Sequence, residues 1–124
     1  MRTLFDTTVV IAHLRGDRRA SDLLLSVPRA DRCISVLTRV EVEGGMRPGE
    51  RADVAALLST LRKLPVSDAV GRRAAIHLRQ FRRSHGGIDV VDYVIAATAE
   101  LHDARLATLN IKHFPMFPGL TAPW

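Results

Sequence analysis

Apolar positions along this chain switch repeatedly between short runs and helical spacing. Thr3-Leu4-Phe5 is a short apolar run that stops at Asp6 and reads as a strand. From Thr7, the apolar positions Val10, Ile11 and Leu14 recur at helical intervals, and Gly16 closes that helix. Ser21 to Val27 predicts a second short helix, stopped by Pro28. Cys33 to Leu37, with Ile34 and Val36, suits a second strand, and Thr38 opens a helix that runs out at Gly44-Gly45. Beyond the Pro48-Gly49 turn, Ala52 to Leu64 carries Val54, Leu57, Leu58 and Leu61 at helical spacing. Leu64-Pro65-Val66 is a brief strand candidate, Ala69 to Arg83 a helix, and Gly86-Gly87 a break. Val90 to Leu101 predicts an alanine-rich helix and Leu106 to Leu109 a strand, with an edge strand around Leu120. Strands alternating with helices imply βαβ units. The expected fold is α/β: a central, mainly parallel sheet of four to five strands, flanked by helices on both faces.

Length adds a bound. A chain of 124 residues has room for one domain, taken here as residues 1–124. Apolar residues at 47% and charged ones at 25% are an ordinary globular balance and argue against disorder or fibrous repeats. The formal charge is +5, and sixteen of the eighteen basic residues are arginine, whose planar fork suits phosphate. A polyanionic partner is consistent with that, although arginine-rich composition also follows genomic base bias. The lone Cys33 leaves no internal disulfide and no cysteine-based zinc site. The start reaches an acid at Asp6 too early for a signal peptide, and no apolar run is long enough for a bilayer. A cytoplasmic protein without a membrane partner is the expectation.

In a parallel sheet, ligands bind beyond the carboxyl ends of the strands. Polar residues stand at each such place. Asp6 follows the first strand, Glu41 lies one turn past the second, Asp92 begins the helix feeding the strand at Leu106, and Asn110 follows that strand. Each has an ordinary explanation. Asp6 suits the N-cap of the following helix. Thr38-Arg39-Val40-Glu41 spells a capping box, with Glu41 returning a bond to Thr38. Asp89-Val90-Val91-Asp92 reads the same way, Asp89 capping and Asp92 favoured by the positive helix end. The coincidence of all four shifts the balance. Asp92 sits among Val90, Val91, Val94, Ile95, Ala96 and Ala97, where a carboxylate is expensive without a cation or several donors. Small Ala96, one turn on, leaves space above it. Oxygen ligands without thiolate favour Mg2+ or Mn2+ over zinc.

The same residues carry a family resemblance. Leu4-Phe5-Asp6-Thr7, the run Ile34 to Glu41, the run Asp92 to Ala99 and Leu106 to Phe114 resemble a PIN-domain ribonuclease of the VapC toxin kind, from bacterial VapBC toxin–antitoxin pairs. The likeness spans almost the whole chain in order, down to Pro118-Gly119-Leu120. It implies a PIN-like α/β/α sandwich and a Mg2+- or Mn2+-dependent endoribonuclease. It also implies a homodimer held inactive by a cognate VapB-like antitoxin. Asp6, Glu41 and Asp92 match the family's three acidic ligands. Asn110 stands where many members carry Asp, and His113 where others place an acid. That departure implies one tightly held ion and a looser, substrate-assisted second. Glu41 would bind the metal or orient the attacking water, and Asn110 with Thr7 or Thr8 would hold waters or a phosphate oxygen. Thr38 and Asp89 are auxiliary candidates.

Arg72, Arg73, Arg79, Arg82 and Arg83 recur at helical intervals, either a solvated face or a phosphate-binding one. Arg72 and Arg73 are the leading RNA-binding candidates, with Arg15, Arg18 and Arg19 a second group. Glu43 points away from Glu41 and reads as solvated. His13, His77, His85 and His102 show no metal spacing and are expected at the surface or its boundary. Six aromatic residues are too few for an aromatic RNA-stacking platform. Two alternatives remain at this stage. A non-catalytic basic RNA-binding or interaction module would leave the acids unexplained. A receiver-like phosphoacceptor would need an adjacent acid pair before the first helix, where only Asp6 stands.

Overall fold

The computed structural model describes residues 1–124. Four short strands, β1 (Thr3–Phe5), β2 (Arg32–Ser35), β3 (Arg62–Leu64) and β4 (Arg105–Ala107), pair in parallel in the order β3-β2-β1-β4. Between them run helices α1 (Thr7–Leu14), α2 (Arg18–Ser26), α3 (Val36–Gly44), α4 (Arg51–Ser59), α5 (Asp68–Phe81) and α6 (Val90–Leu101). The expected α/β architecture is observed, with four strands.

Strand alternation divides the core between the two faces of the sheet. Phe5, Ile34 and Ala107 turn toward α1, α2 and α4, where they pack with Val9, Val10, Leu24, Val54 and Leu58. Leu4, Cys33, Leu64 and Leu106 turn the other way and meet Ile95, Ala96, Ala99 and Phe114. A third cluster joins α5 to α6 through Val70, Ala74, Tyr93, Val94 and Ala97. Every residue of α6 from Tyr93 to Ala99 is buried, as expected for a helix that is apolar all round.

Several boundaries differ from those the pattern predicts, each for a local reason. β2 ends at Ser35, not Leu37, because the Ser35 hydroxyl accepts the Leu37 N–H at 3.1 Å and caps α3. Thr38 therefore lies inside α3, fully buried, and the capping box expected between Thr38 and Glu41 is absent. The helix expected from Ala52 to Leu64 stops at Ser59, where the Thr60 hydroxyl donates to the Leu57 carbonyl at 2.7 Å. The chain then enters β3, which ends before Pro65, a residue with no N–H to continue a ladder. No strand forms at Leu120, whose N–H closes a turn on the Phe117 carbonyl at 3.0 Å. His77 is a further correction: it is 4% exposed, inside the α5/α6 contact.

Strand order decides where a ligand can enter. The chain moves outward from β1 to β2 and β3, then returns through α5 and α6 to β4 on the other side of β1. The carboxyl ends of β1 and β4 thus flank a topological switch point, the usual crevice of open α/β sheets.

Ser35→Ala is expected to lower stability by about 1 kcal/mol through loss of the α3 cap. A denaturation midpoint unchanged from wild type would return the start of α3 to Thr38.

Candidate active site

The crevice at the switch point is an open cleft of about 490 Å3. Asp6, Thr7, Glu41, Asp89, Asp92 and Asn110 line it, together with Thr8 and His113. Five places in the fold supply them: the end of β1, the start of α1, α3, the start of α6 and the segment after β4. Residues 104 positions apart in the chain thereby face one space.

Asp6 is the most enclosed of the acids, 3% exposed. Its backbone has the extended geometry of an N-cap, yet its carboxylate caps nothing. Oδ2 instead accepts from the hydroxyls of Thr8 at 2.9 Å and Thr108 at 2.7 Å. Both hydroxyls are fixed in turn: Thr8 accepts the Leu109 N–H at 3.1 Å, and Thr108 accepts the Asn110 N–H at 3.0 Å. The chain beyond β4 is thus stitched to the end of β1, and Oδ1 of Asp6 makes no protein hydrogen bond. The N-cap reading of Asp6 is correct for its backbone and wrong for its side chain.

Asp92 sits at the third position of α6. Its Oδ2 accepts the Asp89 N–H at 3.2 Å, one half of the expected capping box, and also contacts His113 Nδ1 at 3.0 Å. Burial pushes its carboxyl above the usual carboxylate range; the Asp89 N–H and His113 pull it back, and the charge of Asp6 pushes it further up. Glu41 is exposed on α3, and its Oε1 accepts from the Thr7 hydroxyl at 2.7 Å. Thr7 Oγ1 is 3.0 Å from Thr38 Oγ1, so Thr38 acts from beneath the cleft without lining it. Asp89, exposed, occupies the N-cap position of α6.

The expected RNA-binding arginines lie elsewhere. Arg72 pairs with Asp68 at 2.6 Å, and Arg73 with Glu100 at 2.8 Å near the far end of α6 from Asp92. Arg15 pairs with Glu50 at 2.5 Å. None of the three lines the cleft. Glu100 also meets buried His77, so these contacts fasten α5 to α6. Thr108 is the residue the pattern missed. The strand predicted through Leu109 hid it as a strand residue, whereas β4 ends at Ala107 and leaves Thr108 first beyond the strand, where site residues gather.

The donor set fits a hard divalent cation. It offers carboxylate, hydroxyl and amide oxygens without thiolate, and two mutually repelling acids at its centre. No three His, Cys, Asp or Glu side chains converge into a ready chelate. That arrangement suits Mg2+, which keeps several waters and takes one or two carboxylates.

Comparison with known proteins places the fold in a family. Residues 3–115 match the PIN domain, and the chain belongs to the PIN-domain family. It is 47% identical over 122 residues to Ribonuclease VapC10 of Mycobacterium tuberculosis, covering 98% of this chain and 92% of the relative. Ribonuclease VapC19 of the same organism is 42% identical over 123 residues, 98% of each chain. A toxin–antitoxin complex from Klebsiella pneumoniae contains a chain of the same fold, with a TM-score of 0.84, 29% identity and 98% coverage of both chains.

Asp92→Asn is expected to stabilise the metal-free protein at neutral pH. The raised carboxyl means the fold favours its protonated form, so that contribution is present below the ordinary carboxylate range and is lost as pH rises through the raised value. The gap between variant and wild type should be widest near neutrality and close on acidification toward about pH 4. Thermal melts in chelator across that range check this; a variant less stable than wild type at neutral pH would mean that the contacts to Asp89 and His113 outweigh burial.

Proposed function

We propose that this cleft is the active site of a metal-dependent endoribonuclease that acts as the toxin of a toxin–antitoxin pair. The observation that carries the reading is the pairing of Asp6 and Asp92: two acids, from opposite ends of the chain, face one cleft at the switch point. Relatives named as VapC ribonucleases support RNA as the substrate, and the likeness to a toxin–antitoxin complex supports a VapB-like antitoxin as the partner. A homodimer working in the cytoplasm belongs to the same reading. No helix is long and apolar enough to cross a membrane.

Asp6 and Asp92 would hold Mg2+ or Mn2+, with Glu41 reaching the ion directly or through water. When bound, the ion supplies Lewis acidity, stabilising charge on the phosphate and making water a better nucleophile. The remaining work falls to the protein. Thr8 and Thr108 hold Asp6 by Oδ2, which leaves its second oxygen without a protein partner. Glu41, steadied by Thr7, orients the attacking water and takes its proton. Asn110 offers an amide to a phosphate oxygen. His113 holds Asp92 through Oδ2 and leaves Oδ1 to the cleft. A non-catalytic RNA-binding module would need neither buried Asp6 nor half-buried Asp92.

Mn2+ or Mg2+ at 100 times its dissociation constant is expected to stabilise the wild-type chain by about 2.7 kcal/mol. Asp6→Asn should abolish most of that response. In single-turnover RNA cleavage, Asp92→Asn should lose orders of magnitude while remaining folded. Asp89→Asn should retain activity within about tenfold, an indirect effect of no more than about 1.4 kcal/mol. Loss of cleavage in Asp89→Asn with retention in Asp92→Asn would move the ligand one helical turn earlier. A wild-type chain with neither metal response nor cleavage would overturn the assignment. Growth arrest on expression without the antitoxin should likewise disappear in Asp6→Ala and Asp92→Ala chains of equal abundance.

A further inference from the structure

Two cationic segments flank one end of the cleft. Arg82 follows the last residue of α5 as its C-cap, and Arg83 lies next in the turn that runs to Gly87, itself a lining residue. Lys112 sits in a 3-10 turn, Ile111–His113, between the lining residues Asn110 and His113. All three cations are exposed, and none meets a carboxylate, whereas Arg72, Arg73 and Arg15 each do.

Both segments converge on Asp92. His113 contacts its carboxylate, and Asp89, two residues past Gly87, donates its N–H to the same oxygen. Arg39, on α3 beside Glu41, is paired with Glu43 at 2.9 Å. Arg82, Arg83 and Lys112 thus place unpaired positive charge at the Asp92 end.

These cations do not quench the acids of the cleft, since Asp6 takes hydroxyls and Asp92 takes an N–H and an imidazole. The turn that carries Arg82 and Arg83 is also braced. Ser84 Oγ lies 2.8 Å from His85 Nδ1, the His85 ring packs edge-on to Phe81 at 5.6 Å, and Gly87 takes φ +87 to close it. Charges carried on segments that adjoin an acidic cleft, and idle toward it, suit a ligand that brings its own negative charge past the site. Arg72, by contrast, is ten residues back from Arg82, about 15 Å along the helix.

Resting on the ribonuclease reading, we propose that the RNA strand runs out of the cleft over its Asp92 end, with its backbone phosphates held by Arg82, Arg83 and Lys112. These three are binding residues that position the strand; they contribute no chemistry. Their contacts would be independent of base sequence.

The test is the salt dependence of binding of one fixed single-stranded oligoribonucleotide, measured in Mg2+ on the full chain. The variants are Arg82→Ala/Arg83→Ala/Lys112→Ala, the charge-keeping Arg82→Lys/Arg83→Lys, and Arg72→Ala. Three lost phosphate contacts should flatten the plot of log affinity against log salt by about two units. The lysine variant should keep most of the wild-type slope, which separates phosphate contact from a folding defect. Arg72→Ala should leave the slope unchanged. In cleavage assays the triple variant should raise KM with kcat near wild type. An unchanged slope in the triple variant would overturn the proposal and leave Arg82 as compensation for the α5 dipole. Equal flattening by Arg72→Ala would overturn it too, in favour of diffuse attraction. Wild-type protein without salt-dependent RNA binding would instead count against the ribonuclease reading itself.

Discussion

A carboxylate that is almost wholly enclosed stands at the end of the central strand, and the surrounding structure answers the cost of holding it there. Asp6 is almost wholly withdrawn from water, so donors to its inner oxygen must come from the protein. They come as two hydroxyls, Thr8 from its own helix and Thr108 from the far end of the chain. The parallel register of β1 with β4, Phe5 opposite Ala107, brings Thr108 within reach. Sheet pairing and site assembly are therefore one event: a slip in that register would leave a buried charge without its partner.

The position of Asp92 depends on α6 in the same way. A helix buried from Tyr93 to Ala99 is packed on the sheet by one side and on α5 by another, so its first turn has little freedom. Arg73 and buried His77 both hold Glu100, which fastens the other end of the helix. Burial that fixes the helix also raises the Asp92 carboxyl, so the packing that positions this acid is what makes its charge unfavourable without a counter-charge.

Electrostatics separates the arginines by place. Arg15, Arg72 and Arg73 serve the fold, pairing across helices or along one. Those at the end of α5 stay unpaired beside the cleft. Composition alone gives the same weight to all sixteen.

The order of elements was legible in the sequence because period-2 and period-3.6 patterns report burial directly, and so did the end of the sheet at which Asp6, Glu41, Asp92 and Asn110 would gather. The polar residue first beyond β4 was not, because strand ends are set by local capping and pairing: Ser35 halts β2, and β4 stops short of Thr108 and leaves it to hold Asp6, while apolar neighbours run past both points. Nor could spacing along α5 distinguish Arg72 and Arg73 from Arg82 and Arg83. Sequence by itself determined which residues are acids, which faces are apolar and in what order they come. Only the tertiary structure decided which carboxylate oxygens have protein partners and which arginines are occupied, because a partner such as Thr108 or Glu100 lies across the fold and no local pattern encodes it.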